Sequence, residues 1–345
     1  MASEPAAAEP AGNGRSSGIV LQYHHVADDT PYVTSISPAQ FREHMEYLQR
    51  NDYTIWSLDR LVEAVRDGSP VPDRTVTITF DDAYLNIYTN GFPILKEFGW
   101  PFTIFVSTEF IGTNQAQYLT WQQLEEMQQA GALIENHTHS HTHLLRKLDG
   151  ESDSDWKARV RSEIVTAGDA IEENLGTSST LFAYPYGEYN DEILEIVEDL
   201  GYVAFGQQSG PMGPESNFLA LPRFPMSGRY ADMDTVKTKL DTLPLPVAGS
   251  DVEPVLDLTE TQPSLTLHFT RPDLRFNQLV CYGPSDTTEL TRQDETTFVA
   301  RAKNPVPVGR SRYNCTMPVK GENRFSWYSQ LWIRRNPDGS WYPEP

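Results

Sequence analysis

Basic residues are scarce in this chain: 27 Lys and Arg stand against 48 Asp and Glu over 345 residues, a formal charge of −21. Phosphate backbones need the opposite sign, which argues against a nucleic-acid binder, whereas cationic partners would be tolerated or attracted. The same acidity equally fits adaptation to a salty environment. Cysteine is rarer still, with only Cys281 and Cys315, both in the C-terminal part. In an exported protein they are expected to pair; in the cytosol they would be reduced thiols. No apolar run reaches the length of a membrane span, and no secretory signal is visible. The opening MASEPAAAEPAGNGRSS is rich in Ala, Pro, Gly and Ser and reads as a flexible tail over 1–17. Its leading Met-Ala fits an export signal removed upstream, so a periplasmic or secreted location is expected.

From Ile19 onward, short apolar strands alternate with amphipathic helices. Ile19–Val26 (IVLQYHHV), Tyr53–Trp56, Arg74–Phe80, Phe102–Ser107, Ala132–Glu135, Leu181–Ala183 and Tyr202–Phe205 read as strands. Helices are expected after Ser37-Pro38, Ser57 and Thr120, across Tyr88–Phe98 and Trp156–Leu175, and over Glu192–Leu200. Strand–helix alternation with short loops predicts parallel βα units. About seven of them fit a (β/α) barrel over residues 18–243 better than an open sheet. LPLPVAGSDVEP then opens a Pro-rich linker, 244–262. From 263 to 345 the pattern becomes short alternating runs (LTLHF, LVCYG, TFVARA, FSWYSQLWI), which predicts a small all-β, sandwich-like domain.

Three clusters carry candidate chemistry. The strand RTVTITF runs straight into Asp81 and Asp82, whose side chains should leave the backbone in different directions and take different jobs. On its own, Asp-Asp after a strand is an ordinary turn. The second cluster, ENHTHSHTH at Glu135–His143, packs four histidines into seven residues, a density that packing explains poorly and a divalent metal explains well. A helical turn would align His137 with His141 and turn His139 away. An extended strand would align all three, and periodicity does not choose between them. The third cluster, FAYPYGEYN at Phe182–Asn190, is a tight turn after a strand whose backbone N–H groups could face an anionic oxygen.

Together these segments resemble the polysaccharide deacetylases of carbohydrate esterase family 4, the NodB-homology domain. The resemblance is nearest to the branch that de-N-acetylates poly-β-1,6-N-acetylglucosamine of biofilm matrix. It rests on TFDD at Thr79–Asp82, HTHSH at His137–His141 and FAYPYG at Phe182–Gly187. YHHV at Tyr23–Val26 and LPRF at Leu221–Phe224 add to it, and it covers about Gly18 to Leu240. It implies that the (β/α) barrel is distorted and that it holds one divalent ion, zinc first and cobalt, nickel or iron otherwise, on Asp82, His137 and His141, with His139 outside. It further implies Asp81 as general base, the backbone N–H of Tyr186 facing the oxyanion, and His24 as general acid. Arg223 would hold Asp81, because the position that carries an Arg in many members is Ala183 here. Leu267-His268 imitates the family's usual late Leu-x-His element but falls in the β domain.

The implied activity is removal of N-acetyl groups from an acetylated amino-sugar polysaccharide, whose deacetylated product would be one of the cationic partners that the acidic surface tolerates. Chitin oligomers, peptidoglycan and acetylxylan are substrates the same fold would serve. A catalytically inactive carbohydrate-binding protein would need a missing ligand or base, and none is missing. Glycoside hydrolysis needs two carboxylates several ångströms apart across a bond, which neighbouring aspartates fit poorly. Trp327, Tyr328 and Trp332 of the β domain are expected in its core rather than on sugars.

Overall fold

A computed structural model of the chain describes residues 15–113, 115–249 and 252–344, so most of the expected tail lies outside the described residues. Its first part is the expected barrel. Strands β1 (Ile19–Tyr23), β4 (Thr54–Ile55), β5 (Thr75–Phe80), β6 (Phe102–Val106), β7 (Ala132–Asn136), β8 (Leu181–Ala183), β9 (Val203–Phe205) and β10 (Phe224–Pro225) form one sheet, ordered β10-β1-β5-β6-β7-β8-β9. All of these pairings are parallel. A bridge from Phe205 to Leu221, just ahead of β10, brings the two ends of the curl together. The distortion has a visible source: β4 pairs with the start of β5 at Thr75–Val76, while β6 takes its end at Thr79–Phe80. The remaining early strands, β2 (His25–Val26) and β3 (Ser35–Ile36), make a separate two-stranded ladder.

Every residue of β1, β5 and β6 is buried, as expected of parallel strands covered on both faces. The cover comes from α1 (Pro38–Arg50), α2 (Leu58–Arg66), α3 (Phe92–Phe98), α4 (Trp121–Gln129), α5 (Asp153–Leu175), α6 (Asp191–Asp199) and α7 (Met233–Leu240). In α5 the buried Trp156, Val160, Ile164, Ala167 and Ile171 follow helical spacing and form one stripe. Ser37 and Thr120 build full capping boxes with Gln40 and Gln123, whereas Ser57 makes no side-chain cap bond. The helix expected across Tyr88–Phe98 is regular only from Phe92, after a wider turn at Ile87–Gly91.

The Pro-rich stretch corrects an expectation. It is not a free linker, because β11 (Thr242–Pro244) and β12 (Val247–Ala248) already begin the two β-sheets of the C-terminal part. These contain β13 (Ser264–Phe269), β14 (Val280–Tyr282), β15 (Glu289–Arg292), β16 (Thr297–Arg301), β17 (Gly309–Pro318) and β18 (Phe325–Arg334), ordered β11-β18-β17-β14 and β12-β13-β16-β15. Proline suits β11 because that strand is the edge of its sheet, where a missing N–H costs little.

The sheet containing β17 and β18 is covered on both faces. Tyr313, Cys315, Met317 and Trp332 pack inward on Leu265, Leu267 and Phe269. Leu331 and Ile333 turn the other way and join Phe182, Tyr184, Tyr189 and Ile193 of the barrel. Trp327 meets Phe224 edge-on at 5.5 Å, and Trp332 is fully buried, so both serve packing. Cys281 and Cys315 face each other on β14 and β17 and form a disulfide.

Candidate active site

The site lies where β1, β5, β7 and β8 end. Asp81 follows β5, and its backbone N–H donates to Tyr23 O at 3.0 Å. Its carboxylate is fully buried and accepts from Arg223 Nη1 on Oδ1 at 2.6 Å. Oδ2 accepts from Arg223 Nη2 at 2.8 Å and from Gln22 Nε2 at 2.6 Å. Two donors therefore fill Oδ2, while Oδ1 keeps a lone pair. Burial alone would push the Asp81 pKa up; the Arg223 guanidinium, with His137 and His24, outweighs it and holds the group below the usual carboxylate range. Arg223 is itself fixed by Nε donating to Gly206 O at 3.0 Å.

Asp82 follows in a left-handed conformation, φ +70°, as does Ala83 at +57°. Its Oδ1 lies 3.2 Å from His137 Nε2 and 3.1 Å from His141 Nε2. His137 Nδ1 meets Ala183 O at 2.7 Å, which fixes the proton on Nδ1 and leaves the Nε2 lone pair facing Asp82. Asp82 Oδ1 is buried without a hydrogen-bond partner. A carboxylate oxygen and two imidazole nitrogens thus converge with their lone pairs inward, the donor set of a divalent ion. Against the upward push of burial, His141 and His137 hold the Asp82 pKa well below the usual range.

The histidine segment adopts neither alternative open to the sequence. Left-handed residues at Thr138 (φ +68°) and His141 (+53°) fold it into an irregular turn. Asn136 Oδ1 accepts from Thr138 N, Thr138 Oγ1 accepts from His141 N, and both Ser140 N and Oγ donate to Glu163 on α5. His139 instead pairs with Thr108 Oγ1 at 3.0 Å, outside the cluster. Five of the seven non-glycine residues with positive φ among the described ones, Asp82, Ala83, Thr138, His141 and Tyr186, belong to these two turns and the Tyr-Pro-Tyr-Gly turn. Such conformations cost on the order of 1–3 kcal/mol each and persist where the surroundings fix them.

Tyr186, at φ +60°, lines the cleft beside His141, with ring centroids 4.7 Å apart. The following Gly187 is required: φ is +68°, and Gln207 N and Cβ lie within 2.9 Å of where a Cβ would stand. His24 comes close as well, with Nε2 3.8 Å from Asp81 Oδ2 and its buried Nδ1 without a partner. Stacked rings of His25, Tyr84, Tyr118 and Phe110 form one wall, with centroids 3.7, 5.2 and 4.8 Å apart in turn. All seven residues singled out in the sequence thus meet at one end of the barrel. Gln22 was missed, although it shares a strand face with His24 two residues on. The aromatic wall carried no sequence signal, since its members are scattered along the chain. His268 sits exposed on β13, bonded to Thr297.

Residues 68–205 match the family model described as polysaccharide deacetylase. That segment is similar to polysaccharide deacetylases. His24 and Arg223 lie outside the stretch that matches the family model. The poly-β-1,6-N-acetyl-D-glucosamine N-deacetylase of Escherichia coli is 25% identical over 240 residues, covering 59% of this chain and 36% of that protein. The chain therefore spans about a third of that relative's length. The Staphylococcus epidermidis protein of the same name is 27% identical over 233 residues, covering 62% of this chain and 80% of its own. A Streptococcus pyogenes deacetylase solved in complex with acetate has the same fold at a TM-score of 0.59 and 23% identity, over 66% of this chain and 99% of its own.

Proposed function

We propose that the chain is a metal-dependent hydrolase that removes N-acetyl groups from a glucosamine polysaccharide of the poly-β-1,6-linked type. The observation that carries this reading is the convergence of Asp82 Oδ1 with His137 and His141 Nε2, beside an ionised Asp81. Asp82, His137 and His141 would hold the ion, and a donor set of two imidazoles and a carboxylate suits zinc, with cobalt, nickel or iron as substitutes. When bound, it supplies Lewis acidity and lowers the pKa of water at the site.

The chain's own residues do the rest. Asp81 accepts the proton of the attacking water through the lone pair left on Oδ1, while Arg223 and Gln22 keep its carboxylate in one orientation. The oxyanion that forms on the acetamide oxygen as water adds to its carbon faces the backbone N–H of Tyr186. His24 gives a proton to the departing nitrogen, so that the products are acetate and a free amine. The stacked rings of Tyr84 and Tyr118 line the cleft beside the bound glycan.

The Cys281–Cys315 disulfide supports a periplasmic or secreted setting, since such bonds persist under oxidising conditions. Among the described residues no helix is long and apolar enough to cross a membrane. The test is acetate release from a panel of acetylated glycans, with poly-β-1,6-N-acetylglucosamine beside chitin oligomers, peptidoglycan and acetylxylan. Release is expected from the first, abolished by a chelator and restored by added zinc. Turnover that survives complete metal removal would refute the reading.

A further inference from the structure

Beside the Asp82 cluster, side chains from both parts of the chain meet. Glu188, in the loop after β8, is fully buried. Its Oε2 pairs with His143 Nδ1 at 2.8 Å, and its Oε1 accepts from Arg310 Nη1 at 3.0 Å and from the Tyr342 hydroxyl. Arg310 belongs to β17 and also donates to Glu344 through Nη1 and Nη2, at 3.0 and 2.8 Å. His143, Glu188 and Glu344 have the donor types of a second cation site. Arg310 already bridges the two carboxylates, and Arg146 lies 3.5 Å from Glu344, so the cluster is a neutralised ion-pair network and not a metal site.

What the network holds is the wall of the cleft. The His143 ring stacks face to face on Tyr186, 3.7 Å away and inclined by only 8°, and Tyr186 in turn meets the edge of His141. Two residues along the same face of β17, Arg312 donates to Gln207 O at 3.1 Å and Ser209 Oγ at 3.2 Å. Gln207 is the residue against which Gly187 packs. One strand of the β region therefore grips the Tyr-Pro-Tyr-Gly turn from two sides. That turn holds a left-handed tyrosine, a conformation that needs outside support.

We propose that the β region completes the active site: Arg310 is a positioning residue that fixes the Tyr186 turn beside His141 through Glu188 and His143. This rests on the deacetylase reading above, in which the Tyr186 N–H faces the developing oxyanion. Without Arg310 the buried Glu188 loses its charge partner, swings toward water or takes up a proton, and releases His143 from the tyrosine ring. An interaction made only as the oxyanion develops acts on kcat and leaves KM nearly unchanged.

The experiment compares Arg310→Met, Arg310→Lys, the double variant Arg310→Met/Glu188→Met, and Trp332→Phe as a control. The double variant replaces both charges by apolar groups and so protects folding. The control loosens the β region from its opposite face. Acetate release, metal bound per chain and the crystallographic position of Tyr186 are read for each. Arg310→Met and the double variant should lose at least tenfold in kcat with KM and bound metal unchanged, and the Tyr186 ring should leave its place against His143. Arg310→Lys should recover part of the loss, and Trp332→Phe should stay within twofold of the parent. Parental kcat in Arg310→Met, or an unmoved Tyr186 ring, would overturn the proposal. If the parent protein releases no acetate from any acetylated glucosamine polymer, the deacetylase reading falls, while the ring position still decides the role of Arg310.

Discussion

Replacing Arg223 by Met strands a charge. The guanidinium bonds both oxygens of Asp81, at 2.6 and 2.8 Å, and both side chains are fully buried, so no solvent takes its place. Removing one partner of such a pair costs about 3–5 kcal/mol, against a total stability on the order of 5–15 kcal/mol. At roughly 2–4 °C per kcal/mol, the melting temperature of Arg223→Met should fall by roughly 6–20 °C. Asp81→Asn leaves the buried Arg223 guanidinium without its counter-charge, and although the amide oxygen still accepts one bond it should also cost about 3–5 kcal/mol. The decisive variant is Arg223→Met/Asp81→Asn. With the unpaired carboxylate gone, it should melt above Arg223→Met even though it carries one more substitution. Calorimetry of the four proteins at pH 7 in chelator reads this directly. A double variant that melts where the two single losses add up would refute the claim that Arg223 acts by compensating Asp81. In the same set, Asp81→Asn should retain bound metal and lose nearly all turnover.

His24→Ala should cripple amide substrates far more than activated esters, whose leaving groups need no proton; equal losses would remove His24 as the acid. Exchanging Cys281 and Cys315 for Ala frees a loop of 34 residues and should cost about 3–4 kcal/mol, seen as a lower melting temperature than that of the oxidised parent. Lys239 is buried among carbonyls, donating to Pro225 O at 2.8 Å and Tyr230 O at 3.2 Å, and burial pulls its pKa from 10.5 down to about 7. The unfolded chain therefore binds more protons between about pH 7 and 10, and stability should rise with pH across that window by up to about 1.4 kcal/mol per unit. Lys239→Met should flatten this rise, as melts at pH 7 and 9 would show.

Much of the barrel was legible because its signals are local. Period-two runs such as Thr75–Phe80 end in turn residues, and Ser37 and Thr120 cap the helices that follow. The linker reading failed for a physical reason. Proline in 244–262 looks like punctuation, yet an edge strand tolerates it, so β11 could pair with β18 although the partners are 83 positions apart. The histidine turn resisted periodicity because Thr138 and His141 are left-handed, a state that neither helical nor strand spacing describes.

The sequence by itself determined the chemical inventory: adjacent aspartates after a strand, a dense run of histidines, and a tight Tyr-Pro-Tyr-Gly turn. Residue type and short spacing suffice for these, since they depend on side-chain chemistry and neighbouring dihedral angles. Only the tertiary structure decided that Arg223 and Gln22 clasp Asp81 and that Arg310 reaches back to Glu188. Those contacts join residues from 59 to 142 positions apart. At such separations the partner is chosen by how the barrel curls and how the β region lies on it, and no local pattern records that choice.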